Sequence, residues 1–231
     1  MNEQIRPTES QIAEAKNYIE RRLDAQQEVE DELYFEFQEA ARKIAAIVIK
    51  YKFRNIPLRF SGSSMMAIEI EKVIRWLEIK IDELLSEKYL PDEADDQSEE
   101  HDSNILESIR GDFHGATFED RKELYISKYI LALKQMNFDN IEIDEEEIYE
   151  AIMESSGYPV RRMQLLLSNT VALGWMTWSM KNAIENGAIG FYVVNGSNPC
   201  SFCVDKSKHL HRIGEETPPF HPSCMCMVVY V

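Results

Sequence analysis

Apolar residues recur at helical spacing over most of this chain and give way to short β-type runs only near its end. Leu33, Phe37, Ala40, Ile44, Ile47 and Tyr51 advance by alternating steps of four and three, which places them on one stripe of an α-helix. Neither Gly nor Pro interrupts the chain between Pro7 and Pro57, and a Thr8-x-x-Gln11 capping pattern stands at the start. One long helix is therefore expected, ending where Arg54 to Gly62 brings in Pro57 and Gly62. A second helix is expected from about Ser63 to Tyr89, with Ile70, Val73, Leu77, Ile81 and Leu84 on one face. Two such helices joined by a short turn make an antiparallel hairpin over residues 1–90. Their stripes offer more apolar surface than two helices bury alone, so this hairpin is expected to make protein contacts.

Pro91 ends the second helix, and Asp92 to Ser103 is acidic with only Ala94 apolar. Such composition reads as a linker or exposed loop over residues 91–103, because it offers nothing to bury. From residue 104 the helical pattern returns. A short helix is expected at Ile105 to Ile109, and another capped by Thr117-x-x-Asp120 and running to about Met136. An amphipathic turn or two follows at Glu145 to Ser155, and Pro159 opens a long helix that closes at Asn186-Gly187. Trp175 and Trp178 on that helix are expected to anchor the core over a small sheet. Ile189 to Val194, Leu210 to Ile213 and Met227 to Val231 are the short runs that would form this sheet, antiparallel. The fold class is thus mostly α, with a small α+β C-terminal end.

Composition changes the picture mainly through charge. The 231 residues carry a formal net charge of -16, and the acids are unevenly placed. Residues 158–231 hold six Lys/Arg against four acids, whereas residues 1–157 hold 19 basic and 37 acidic residues. An acidic body repels a phosphate backbone, so DNA contact is expected only through the C-terminal part. The beginning of the chain is polar and does not read as a secretory signal. Apolar runs such as Ile44 to Ile49 are far short of the roughly 18 residues that span a bilayer. No membrane role is expected, and synthesis in a reducing cytoplasm suits reduced thiols.

All four cysteines lie in the last 32 residues, where Cys200, Cys203, His221, Cys224 and Cys226 form C-x2-C-x17-H-x2-C-x-C. Two close ligand pairs separated by a loop of this length suit one tetrahedral Zn²⁺. Five candidates compete for four places: Cys200, Cys203, His221 and either Cys224 or Cys226, the remaining thiol packing nearby. A closed set of thiolates and imidazole serves folding rather than catalysis, and structural zinc would stand in for a core that so short a segment cannot build. Two disulfides are the competing arrangement, disfavoured in a reducing compartment. A thioredoxin-like redox pair is disfavoured because this C-x2-C is not expected to open a helix after a strand.

The same stretch resembles a known family. Pro218-Pro219-Phe220-His221-Pro222-Ser223-Cys224-Met225-Cys226, preceded by Cys200-Ser201-Phe202-Cys203 and a helix ending at Asn186-Gly187, is similar to the C-terminal domain of the phage head morphogenesis proteins, the Mu F-like minor head proteins. The likeness covers Leu165 to Val231 and extends more weakly back to about Ile105, through Ile109-Arg110-Gly111 and Gly115 to Arg121. It departs from the family at Met225, where Arg is usual, at Ser201, where Pro is usual, and at Thr170-Val171, where Thr-Glu is common. The resemblance implies a head-morphogenesis-like domain over residues 104–231. It also implies a minor head protein of the virion, assembled in the host cytoplasm, with the portal protein or the major head protein as partner. Alternatives are a zinc-binding adaptor outside any particle and a zinc-finger nuclease or toxin domain.

His209 and His211 are what an enzyme would rest on. They flank Leu210 and would point to one side of a strand, with Asp205, Glu215 and Glu216 as the acids in reach. A nuclease of this kind needs a His to activate water and acids to hold a catalytic metal. The ordered Asn and paired His of such sites are missing, and no phosphate loop, nucleophile elbow or paired-carboxylate motif occurs elsewhere. The chain is expected not to be an enzyme.

Overall fold

A computed structural model describes residues 7–54, 58, 64–91, 94, 99–111, 115–141, 144–196, 198–215, 217–218 and 226–231, the side chains of 99–103 and 140 excepted. The protein is mostly helical, with a small three-stranded antiparallel sheet near its C-terminus. In chain order the elements are α1 (Glu9–Phe53), α2 (Met65–Lys88), α3 (Glu99–Arg110), α4 (Phe118–Gln135), α5 (Glu145–Glu185), β1 (Gly190–Val194), α6 (Ser201–Lys206), β2 (Leu210–Arg212) and β3 (Met227–Tyr230). Contacts divide the chain into two compact units. One, here the helical unit, is Val29–Ser86 with Asp112–Leu167, and the other, the terminal unit, is Met1–Glu28, Glu87–Gly111 and Ser168–Val231.

The helical unit packs the second part of α1, nearly all of α2, α4 and the first part of α5 around one apolar interior. Leu33, Phe37, Ala40, Ile44 and Tyr51 of α1 are buried as their spacing predicts, but Val48 rather than Ile47 completes the stripe. On α2, Ile74 takes the place expected for Val73, beside buried Ile70, Leu77, Ile81 and Leu84. Both differences are one residue wide, because a 3.6-residue period drifts past a strict alternation of three and four. α1 and α2 run antiparallel: Lys50 meets Glu69 at 2.7 Å, and one turn pair further along Lys43 lies 3.2 Å from the ring of Trp76. Phe37 meets Tyr129 of α4 edge-on at 5.3 Å, Lys122 of α4 reaches Asp82 of α2 at 2.8 Å, and Arg161 of α5 reaches Glu30 at 2.7 Å. α4 and α5 of the same chain thus meet the expected hairpin at these points.

Local chemistry sets the helix ends. The hydroxyl of Thr8 accepts from the Gln11 amide at 3.3 Å while the Gln11 carboxamide accepts from the Thr8 amide at 2.9 Å. Thr117 and Asp120 form the same reciprocal box at α4, satisfying donors that the first turn leaves unpaired. The hydrogen bonds to Thr117 also hold the Asp120 carboxyl below its usual range.

Two expectations along this part are corrected. Residues 145–185 form one continuous helix, with Pro159 inside it rather than at its start. Proline removes the donor for the Ser155 carbonyl, a loss that falls at an exposed residue, while buried Ile152, Val160 and Met163 lie on both sides of the proline in one helix. α3 begins at Glu99 and so takes in residues 99–103 of the acidic stretch read as linker. Residues 92–93 and 95–98, like most of 55–63, lie outside the described residues.

In the terminal unit the first part of α1 packs antiparallel on the second part of α5. Tyr18 donates its hydroxyl proton to the Trp175 carbonyl at 2.6 Å, and Gln26 donates to the carbonyl and hydroxyl of Ser168, both at 3.1 Å. Trp175 is buried as an anchor, but against Tyr18 and the Lys88 carbonyl, while Met176 is the α5 residue in the cluster beneath the sheet. Gly174 permits close approach of another backbone, since a Cβ there would stand 2.1 Å from the Tyr89 carbonyl oxygen. α5 stops at Gly187, whose φ of 86° suits the left-handed C-terminal position. β1 then runs through the middle of the sheet in the order β2-β1-β3, with Phe191 opposite both His211 and Tyr230.

Candidate functional site

The thiols are placed by the sheet and by α6. β1 ends at Val194, residues 195–199 lead away from it, and Cys200 takes the N-cap position of α6 with an extended backbone, φ -73° and ψ 167°. Cys203 then lies one turn on, and the two sulfurs approach to 3.5 Å. The C-x2-C therefore opens a helix after a strand, contrary to expectation. Cys200 is exposed, whereas Cys203 and Cys226 are buried, and none of the three is in a disulfide. Cys226 immediately precedes β3 and joins Cys203, Met176, Phe191, Val193 and Val228 in one apolar cluster. Its sulfur also lies 3.8 Å from the Asn195 carboxamide oxygen.

Two thiolates on a tetrahedral zinc, each about 2.3 Å from the metal, stand about 3.8 Å apart. The 3.5 Å between Cys200 and Cys203 is close to that separation and well beyond the about 2.05 Å of a disulfide. Two sulfurs at this distance share a thiol–thiol hydrogen bond and stand at a separation that two ligands of one metal could adopt. His221 and Cys224 lie outside the described residues, and among the described residues no three His, Cys, Asp or Glu side chains form a group able to hold a metal. The structure brings Cys200 and Cys203 together as a pair and sets Cys226 in the apolar cluster that contains Cys203, without making a three-donor group of them.

His209 and His211 take unequal positions. His211 is buried, stacked on Phe191 with ring centroids 5.0 Å apart, and both its ring nitrogens are engaged: Nδ1 is 3.0 Å from a Glu215 carboxylate oxygen and Nε2 is 2.7 Å from the Lys206 carbonyl. Glu215 also accepts from the Arg212 amide at 3.2 Å, and these bonds, that from His211 first, hold its carboxyl below the usual range. His209 stays exposed just before β2, its ring 5.6 Å from that of His211. Asp205, also named as an acid in reach, is paired with Lys208, which lowers its carboxyl. Glu216 lies outside the described residues. An open cavity of about 510 Å³ lies between α6 and β2, lined by Phe202, Asp205, Lys206, His209, Leu210, His211 and Glu215. Its central imidazole is thus a strut between α6 and the turn after β2.

The chain matches no protein-family model, and no curated protein or solved structure matches it. Among the described residues no helix is long and apolar enough to cross a membrane.

Proposed function

We propose that this chain is a phage minor head protein of the Mu F-like kind, acting in capsid assembly or at the portal vertex, with a C-terminal end clipped by one structural zinc. The observation that carries this reading is the order of parts after residue 165. A long helix stopped by glycine leads to a short central strand, a C-x2-C whose sulfurs stand 3.5 Å apart, a second strand, and a His-Pro-Ser-Cys-Met-Cys ending that runs into the third strand. Cys200 and Cys203 would supply two ligands, and His221 with Cys224 or Cys226 the others. Zinc bound there supplies cross-linking of chain segments and no reaction. The partner expected is the portal protein or the major head protein, with any DNA contact through the C-terminal part.

Support for a non-enzymatic role comes from His211, whose two ring nitrogens are already held by protein groups, so that it offers water no base. Zinc suits a protein folded in a reducing cytoplasm that then persists in a particle, because it needs no oxidant. The test is genetic and biochemical. Particles purified from the phage carrying this gene should contain the protein, and its deletion should give defective or DNA-poor heads while shells still form. Normal infectious particles from the deletion, or purified heads without the protein by mass spectrometry, would overturn the assignment in favour of an adaptor outside the particle.

A further inference from the structure

One exposed face of the helical unit runs against the charge of the chain. On α4, positions 121, 124, 125, 128 and 131 lie on one side of the helix by its period, and they are Arg121, Leu124, Tyr125, Lys128 and Leu131. Leu124 and Leu131 are 48% and 52% exposed, and Tyr158 on the adjoining stretch of α5 is 59% exposed. Between them four side chains close a ring of alternating cation and aromatic. Lys128 lies 5.2 Å from the Tyr158 ring and 6.0 Å from the Tyr125 ring, and Arg162 lies 5.9 Å and 6.0 Å from the same two.

Neither Lys128 nor Arg162 forms an ion pair among the described residues. That is unusual in a chain with 41 acids to 25 bases, where Arg161, the neighbour of Arg162, is taken by Glu30 and Lys122 by Asp82 and Glu119. Of the acids near this face in sequence, Asp120 is committed to the Thr117 cap and Glu119 to Lys122, while Glu123 precedes Leu124 and Glu154 lies one turn before Tyr158. Tyrosine and arginine are among the residues that carry most binding energy at protein interfaces, and the leucines add apolar surface around them.

We infer that this α4–α5 face is a docking surface for an acidic amphipathic helix of a partner protein, its apolar side on Leu124, Leu131 and Tyr158 and its carboxylates on Lys128 and Arg162. A protein helix fits better than nucleic acid because the face is half apolar, and because a body of net charge -16 repels a polyanion that extends past two cations. This inference does not depend on the assignment to a phage head. It needs only the exposed face and its charge.

The probes are a labelled synthetic helix with leucines at heptad spacing flanked by glutamates, a twin in which lysines replace the glutamates, and a single-stranded oligonucleotide, each titrated by fluorescence anisotropy at physiological salt. The full-length protein should bind the glutamate helix, and K128E/R162E should weaken it roughly tenfold or more while gaining the lysine helix. Tyr158→Ala should weaken the glutamate helix without creating affinity for its twin. Arg162 and Tyr158 are exposed and Lys128 is half-buried on the helix surface, so thermal melts should stay near the unsubstituted value. Equal binding of the two helices, binding of neither, unchanged affinity in the double variant, or tighter binding of the oligonucleotide would each overturn the inference.

Discussion

The helical unit and the C-terminal end of the terminal unit solve the problem of burial differently. In the former, four helical segments each give a stripe of buried residues, from Val29 to Tyr51 on α1, Met66 to Leu85 on α2, Phe118 to Leu133 on α4 and Ile148 to Leu167 on α5. In the latter, three strands of three to five residues and one six-residue helix close over Phe191, Val193, Cys203, Cys226 and Val228, with Met176 beneath them. Two of those six core residues are cysteines. A stretch this poor in apolar side chains lies near the size at which metals or disulfides commonly supplement the core. The difference teaches where each part keeps its stability, and it separates what each is expected to lose when perturbed.

The largest effect should follow metal removal. With a strong chelator under reducing conditions, the sheet and α6 should lose their fixed structure, seen as collapse of the amide signals of residues 190–231. Most of the helical ellipticity should remain, because the helical unit holds no proposed ligand. Concurrent loss of all helix would erase the contrast between the two regions. Next comes Leu77→Ala in the buried stripe of α2, expected to cost about 2–5 kcal/mol in denaturant unfolding while leaving metal content unchanged. Metal loss in that variant would show the two regions to be one folding unit.

Smaller effects sharpen the picture within each region. Thr117→Ala removes one half of the α4 capping box and should cost about 1 kcal/mol, read as a lower unfolding midpoint. In the C-terminal end, Glu215 is stabilised as a carboxylate, so its contribution is present above the unfolded pKa of about 4.3 and is lost as pH falls through its lowered native value. The Arg212 amide, which donates to that carboxylate, should shift over this acid range in the wild type and not in Glu215→Gln. Identical titrations of the amide in both would remove Glu215 as the acceptor of the Arg212 amide in solution.

Much of this was legible from the order of residues, and the exceptions have physical causes. Helix ends at Thr8, Thr117 and Gly187 followed from caps and glycine, whose chemistry is local. The three strands followed from β-rich runs and appear within a residue or two of their expected bounds. α1 was harder near its start: its buried line continues through Ile19, Arg22 and Val29, but Arg22 breaks any hydrophobic pattern although it is fully buried. Pro159 misled for a related reason, since burial on both sides of it outweighs its local cost. Of the proposed ligands, spacing placed Cys200 and Cys203 together, whereas no period in the sequence announces that Cys226 faces the core beneath the sheet.

The zinc content of the protein tests the central claim most directly. Protein purified under reducing conditions, without added metal, should contain one zinc per chain by elemental analysis, and Cys203→Ser should contain none. Well under one zinc per chain in the unsubstituted protein, or thiol counting that finds the cysteines paired as disulfides, would contradict the account.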